Sequence, residues 1–595
     1  MFLGEFACND KYYIIVILNV LYFPFFSSHV MLYMGGFPFK KNLGAKIMPT
    51  LQFKGKNIIW NHHLSVPYHT LDEVEKLHYH PETPAGNLII EGDNLLALKA
   101  LLPQYTGKIK CIYIDPPYNT GTENWVYNDN VNNPMIKDWL GKVVGKDDLA
   151  RHDKWLYMMA PRLKLMRDLL SSTGSIFISI DDNEIYTLIQ LMTETFGQDN
   201  FKNIIIIRRG IKSVQAQFET VDRLNYGCEY VIVFSREGDY KYKKFEVELE
   251  NGKEGGWNNH WRGTDRPTMR YSLFGIIPET GQWRWSESRS IVAVENYKSM
   301  LKELGKTEEN VTQEEIDVWY KKYLDENGED IDLLRLSSNE KPEHYIPPSE
   351  SKLASTHWND IKPNGSSQLK ALFGKKVFDN PKSIDLIKRL IQFSTDNSEN
   401  AIVLDAFAGS GTTMHACMEL NNDDTGNRHC ILIQSPEISK DDPKKNICKD
   451  ITRERIKRAI DKYSYKSGFR YFKVGIPIDA ETILSGQLPT YKQFAEYVYY
   501  LCTGNSLSDK KTIDEKSYYV GSYNRNVIYL LYKQNFDALT KMPLNFDLAE
   551  QLIKTNPDKR IIVYAPACFL DDDYMKDNNI DFVGIPYNLF SRVNP

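Results

Sequence analysis

Apolar residues collect in short uninterrupted runs over two parts of the chain, separated by stretches where they recur every three or four positions. Residues 87–91 (NLIIE) and 109–114 (IKCIYI) are such runs. A run that is apolar at nearly every position predicts a strand buried on both faces of a sheet. Helical spacing marks residues 95–102 and 153–170, and 175–180 (SIFISI) is a further strand, with a helix expected after Asp181-Asp182. Strand and helix alternating in this way predict a doubly wound α/β sheet. From about 201 to 375 the rhythm is irregular, apart from an acidic helical stretch at 312–323. It resumes as helix 383–393, strand 401–405, helix 412–419 and strand 430–434. A further α/β region follows 468, with apolar strands at 560–565 and 580–585. These changes divide the chain at 1–47, 48–200, 201–375, 376–467 and 468–595.

Residues 12–26 read YYIIVILNVLYFPFF. The run falls short of the roughly 20 apolar residues of a membrane span. The reading favoured is an over-long start, with Met31, Met34 or Met48 beginning a shorter protein. A signal peptide or membrane anchor is the lesser alternative. Nothing later reads as a span, so a cytoplasmic protein without membrane contact is expected.

Of the 595 residues, 42% are apolar and 25% charged, an ordinary globular mix that excludes disorder and fibrous classes. The net charge of −5 argues against a uniformly basic nucleic-acid coat and leaves local basic surface open. Eight cysteines without a CxxC pair predict reduced thiols and neither a disulfide framework nor a zinc site. His62-His63 lacks a nearby third ligand, so no metal is expected.

Two motifs carry chemistry, each placed directly after a predicted buried strand. Asp115-Pro116-Pro117-Tyr118 sets a carboxylate, two prolines and an aromatic ring at the end of IKCIYI. Ligands of open α/β sheets bind beyond the carboxyl ends of strands. Proline fixes φ and lacks an N–H, so the local carbonyls are held rigidly as acceptors. With the carboxylate, they suit a planar ring bearing an exocyclic NH₂, and Tyr118 offers it a flat face. A strand-ending turn with no chemistry is the plainer alternative. The second motif, Asp405-Ala406-Phe407-Ala408-Gly409-Ser410-Gly411-Thr412-Thr413, is a glycine turn opening a helix. Its spacing is neither GxGxxG nor GxxxxGK[ST], and no lysine follows Gly411, so a nucleoside ligand fits better than a triphosphate.

DPPY with FAGSG resembles the amino-group DNA methyltransferases that use S-adenosylmethionine. DPPY precedes FAGSG, as in the β-class arrangement. Asn61-His62-His63, Gly92-Asp93-Asn94, the run from Asp115 to Gly121, the run from Arg151 to Trp155 and the run from Ile178 to Asn183 are similar to the modification (Mod) subunits of Type III restriction–modification systems. The resemblance covers most of the chain from about Leu51. It implies a Rossmann-like S-adenosylmethionine-dependent sheet, a target-recognition region inserted at 201–375, and a C-terminal α/β region for dimer or partner contacts. The implied activity is adenine-N6 methylation of duplex DNA, protecting sites from a cognate restriction subunit. The implied partners are double-stranded DNA, a second copy of the chain and an ATP-dependent restriction (Res) subunit.

By the same resemblance, Asp115, Pro116, Pro117 and Tyr118 are catalytic. Asp405, Phe407, Ala408, Gly409 and Gly411 line the cofactor path, Asp93 lies near the cofactor adenine, and Lys382 walls its methionine end. Relatives carry an acidic residue for the ribose after the second cofactor strand. Here that position is Gln434, with Glu437 three residues on, and either is a candidate. Trp257, Trp261, Trp283 and Trp285 stand among Arg262, Arg266, Arg270, Arg284 and Arg289. That segment reads as a DNA-contacting surface or as the core of a small domain, with DNA contact favoured. Rival functions are a methyltransferase acting on RNA or on a protein glutamine, a DNA-specificity subunit without catalysis, and a solitary epigenetic methyltransferase without a nuclease partner.

Overall fold

Ten strands form the sheet that carries the molecule. In chain order they are β1 (Tyr68–Glu73), β2 (Asn87–Glu91), β3 (Ile109–Ile114), β4 (Leu170–Ile180), β5 (Phe201–Arg208), β6 (Cys228–Ser235), β7 (His357–Trp358), β8 (Ile402–Asp405), β9 (His429–Gln434) and β10 (Phe469–Ile478). Across the sheet the order is β7-β5-β6-β4-β3-β8-β9-β2-β10-β1. From β4 to β10 every neighbouring pair is parallel, while β6 and β1 run antiparallel to their neighbours. The computed structural model describes residues 3–8, 11–16, 50–83, 86–120, 151–210, 224, 226–264, 266–437 and 446–585.

The apolar runs behave as buried strands for a simple reason. Along β3, Ile112 and Ile114 pack with helices α1 (Asn94–Tyr105), α2 (Arg151–Leu169) and α3 (Ile185–Phe196). Cys111 and Tyr113 point the other way, toward α4 (Ile384–Ser394) and α5 (Thr412–Asp424). Both faces are covered, so every position from Cys111 to Ile114 is buried, and the one charged residue, Lys110, stands at the start of the strand. Burying one such isoleucine contributes roughly 1.5–3 kcal/mol.

The expected boundaries shift. Strands β5, β6 and β7 belong to the large sheet, although 201–375 reads as irregular. Strands β5 and β6 pair antiparallel, so the parallel βα rhythm vanishes while the sheet continues. Between β6 and β7 lies a smaller unit. Its three-stranded sheet of Gly256–Asn259, Pro342–Ile346 and Leu334–Leu336 packs with helices Glu287–Leu304 and Gln313–Asn327 around Trp257, Tyr297, Trp319 and Tyr345. The second helix carries the acidic stretch and opens on a capping box of Thr312 and Glu315.

The boundary at 468 also falls inside the sheet, because β10 inserts between β2 and β1. Beyond it, a four-stranded sheet (Tyr519–Tyr523, Asn526–Leu530, Arg560–Ala565, Ile580–Gly584) and helix Tyr491–Thr503 share one core with α1. At the N-terminus, strands Leu3–Cys8 and Lys11–Val16 pair antiparallel as a separate unit. The rest of the apolar run 12–26, with Met31, Met34 and Met48, lies outside the described residues, as does Gly121. Among the described residues no helix is long and apolar enough to cross a membrane.

Candidate functional site

Strands β3 and β8 are neighbours, with Leu404 opposite Ile112. The helix after the β3 turn, α2, covers one face of the sheet and α5, after β8, covers the other. The chain therefore diverges at this point and leaves a crevice beyond the strand ends, the place where open α/β sheets bind ligands. A cavity of about 860 Å³ opens there. It is lined by Asp93, Asp115, Pro116, Pro117, Tyr118, Lys382, Asp405, Phe407, Ala408, Gly409, Gln434 and Glu437. Residues expected from two motifs 290 positions apart thus share one wall.

In the DPPY turn, the Pro117 carbonyl accepts from the indole N–H of the fully buried Trp155 at 2.8 Å. Asn119 follows in the left-handed region (φ 59°), its amide donating to the buried Glu184 carboxylate. His152 meets that same carboxylate at 2.8 Å. The turn is thus anchored from below by the first turns of α2, where the run Arg151 to Trp155 lies.

Lys382 does not stop at the cofactor side. Its ammonium lies 3.3 Å from Asp115 Oδ1 and 2.9 Å from Glu229 Oε2, and it donates to the Tyr118 hydroxyl at 2.5 Å. It also sits 5.0 Å from the Tyr118 ring centre. A cationic nitrogen is therefore held between the DPPY carboxylate and the hydroxyl edge of the aromatic ring. Burial raises the Asp115 pKa, and the Lys382 ammonium offsets part of that rise. Burial acts to lower the Lys382 pKa, but the two carboxylates outweigh it and the net shift is upward.

The glycine turn is organised by Asp405. Its carboxylate accepts from the Phe407 N–H at 2.9 Å and from the Thr413 hydroxyl. Burial raises its pKa to about 7 against these donors. Ala408 N–H donates to Ile433 O on β9 at 3.2 Å, and Gly411 N–H to Ala408 O at 2.7 Å. Gly409 has φ +50°, and a Cβ there would stand 3.2 Å from the Phe378 ring. Gly411, at φ +81°, caps α5 and does not line the cavity. Its place in the motif is the tight turn.

The Gly92-Asp93-Asn94 turn joins this wall. Asp93 caps α1, accepting from Leu95 and Leu96 N–H at 2.8 and 3.2 Å. Asn94 donates to Ala406 O at 3.0 Å. On β9, Gln434 spends both ends of its amide on the protein: Oε1 accepts from Gly409 N–H at 2.6 Å, and Nε2 donates to Glu437 Oε1 at 2.7 Å. Glu437 is exposed at the cavity edge with φ 49°.

Several site residues escaped the sequence reading. Glu229 lies in a strand, CEYVIVFS, whose single carboxylate reads as an edge position. Trp155 stands in the run Arg151 to Trp155, but its role as a prop of Pro117 depends on α2 docking. Arg455, fully buried behind the glycine turn, reads in sequence as one surface arginine of an amphipathic helix.

Both readings of the Trp/Arg segment find support in the residues. Trp283 is core, and Trp257 and Trp285 are half-buried, each packed against a core cluster. Arg289 pairs with Asp332, while Arg270 and Arg284 donate to backbone carbonyls. Arg262, Arg266 and Trp261 remain exposed.

A family model described as DNA methylase matches residues 109–461. The chain is 29% identical over 459 residues to the Type III restriction-modification enzyme StyLTI Mod subunit of Salmonella typhimurium, covering 69% of this chain and 62% of that one. It is 30% identical over 432 residues to the EcoPI Mod subunit of Escherichia phage P1, covering 63% and 62%. It is 31% identical over 440 residues to the Type II methyltransferase M.KpnI of Klebsiella pneumoniae, covering 71% and 93%. The match thus spans less than two thirds of the length of these two Mod subunits.

Proposed function

Because this chain belongs to the DNA methylase family, we propose that it transfers the methyl group of S-adenosylmethionine to adenine N6 in duplex DNA, as the modification subunit of a restriction–modification system. The observation that carries the reading is the ammonium of Lys382 lodged between Asp115 and the Tyr118 hydroxyl, a cationic nitrogen where the reaction would generate one. When bound, S-adenosylmethionine supplies an electrophilic methyl group on a sulfonium.

The cavity fits that cofactor. Its glycine turn admits close approach at Gly409, where a side chain would press on Phe378. Asp93 and Glu437 place carboxylates on the cavity wall suited to adenosine N–H and hydroxyl groups. Of the two ribose candidates, Glu437 is the contact and Gln434 the residue that holds Glu437 in place, since the Gln434 amide is already engaged at both ends.

The target base leaves the duplex to reach such a cavity. Tyr118 stacks on it, with about 1–3 kcal/mol as the scale for base–aromatic stacking. Asp115 accepts one amine hydrogen and the Pro116 carbonyl the other, because the Pro117 carbonyl is held by Trp155. Accepting both hydrogens localises the N6 lone pair. Were the methyl group to pass from the sulfonium sulfur to N6, positive charge would grow on N6 beside Asp115, which is placed to balance it. Glu229 keeps the Lys382 ammonium as the amine takes its place on Asp115. The proton that N6 then sheds passes to Asp115, whose raised pKa suits it to receive one. Labelled-methyl transfer to DNA, with RNA and protein as the other acceptors, tests the reading. Label on RNA or protein alone would overturn it.

DNA recognition belongs to the unit between β6 and β7. Arg262 and Arg266 are exposed there, whereas the exposed Arg284 and Arg289 are tied to a backbone carbonyl and to Asp332, so Arg262→Ala with Arg266→Ala should weaken DNA binding and lower its salt slope by about 2. Cofactor affinity should not change. Affinity equal to wild type at low and moderate salt would count against this surface. The region after β10 supplies dimer or partner contacts, and the assembly is a homodimer able to recruit an ATP-dependent restriction subunit. Light scattering at micromolar concentration should return twice the chain mass; a monomer mass refutes the dimer.

A further inference from the structure

Arg455 lies on helix α6 (Glu454–Tyr463), behind the glycine turn, and is fully buried. Among the described residues no carboxylate pairs with it, and its Nη2 meets no acceptor. Nη1 donates to Ser410 Oγ and to Thr412 Oγ1, both at 2.7 Å, and Nε faces His415 Nδ1 at 3.4 Å. Burial and the neighbouring guanidinium push the His415 pKa down to about 3, so His415 is neutral. Burial pulls the Arg455 pKa down to about 9, which still leaves it charged at neutral pH. An isolated buried cation is costly unless something balances it.

The two hydroxyls it holds stand 3.4 Å apart, and both residues line the cavity. A guanidinium only donates, so each hydroxyl must accept from it and keep its own hydrogen for another acceptor. For Thr412, Ser410 Oγ at 3.4 Å and Lys382 O at 3.5 Å are both poor acceptors. The result is a pair of polarised O–H donors in front of an unbalanced positive charge, at the open start of α5, whose cap Gly411 has no side chain to offer. That arrangement calls for an anion in the cavity. The one anionic group of S-adenosylmethionine is its α-carboxylate.

We propose that Arg455 is a positioning residue for that carboxylate, acting through the Ser410 and Thr412 hydroxyls, which bind it directly. The proposal rests on the cofactor reading above. It places the methionine end of the cofactor against Ser410 and Thr412 and leaves Lys382 to the target amine.

The test is calorimetric titration of the full chain with S-adenosylhomocysteine and with its decarboxylated analogue, which keeps the nucleoside, thioether and amine. The wild type should prefer S-adenosylhomocysteine by on the order of tenfold or more, the scale of hydrogen bonds to a charged group. Arg455→Met should erase most of that preference by losing S-adenosylhomocysteine while holding the decarboxylated analogue within about twofold. Thr412→Val leaves Arg455 in place and should shrink the preference in the same direction, so the test survives a poorly folding Arg455 variant. Equal losses for both ligands, or an unchanged preference in both variants, would overturn the proposal. A wild type that binds neither analogue would overturn the cofactor reading and this proposal with it.

Discussion

Asp115→Ala should still bind S-adenosylhomocysteine and specific DNA, yet transfer methyl groups roughly 10²–10³-fold more slowly in single turnover, the usual loss for one preorganised charge-stabilising group. The substitution leaves the prolines, Tyr118 and the glycine turn intact. Lys382 keeps a counter-charge, because Glu229 holds it at 2.9 Å, so no buried ammonium is stranded. Tyr118→Ala should behave differently, losing the stacking surface and with it the hold on the extruded base. A fluorescent adenine analogue at the target position separates the two: extrusion persists in the first variant and falls in the second. The wild-type rate should also carry an acid limb. Asp115 must be ionised to accept the amine, and burial raises its pKa, so the rate falls on acidification at a pH above the ordinary carboxylate range. Parental single-turnover rates in Asp115→Ala would reduce DPPY to a structural turn.

Gly409→Val should reduce S-adenosylmethionine affinity below calorimetric detection while the protein stays folded. Gly409 sits in the left-handed region, where a β-branched residue is strained by about 1–3 kcal/mol. Its Cβ would press on Phe378, a cavity wall residue, and its methyl groups would enter space needed by the ligand. The fold should survive because the ties that hold this turn run through backbone groups: Gly409 N–H to Gln434 and Gly409 O from Thr452 at 2.6 Å. Undiminished affinity would remove the glycine turn from the cofactor site. Circular dichroism of the variant distinguishes lost binding from lost structure.

Much of this molecule was determined by the sequence acting locally. The runs 87–91 and 109–114 are strands at the predicted positions, and 412–419 lies within α5. Burial on both faces demands unbroken apolar character, and a prolyl or glycine turn announces where each strand ends. That is enough to mark Asp115 and Asp405 as strand-end residues and candidate chemistry. What local pattern does not carry is which strand lies beside which. The adjacency of β3 and β8 joins residues 290 positions apart, and only the pairing of Leu404 with Ile112 puts the two turns on one cavity. The same holds for β5 and β6, whose antiparallel pairing extends the sheet through a stretch with no βα rhythm. Glu229 gains its role because that pairing carries it to Lys382. Arg455 differs from the other basic residues of α6 only in being enclosed. Helix period and turn chemistry act over a few residues, whereas strand register and desolvation depend on every element that closes over the site. The sequence by itself determined the elements and the chemical groups at their ends; the tertiary structure decided which of those groups meet, and which charges are left buried to act on a ligand.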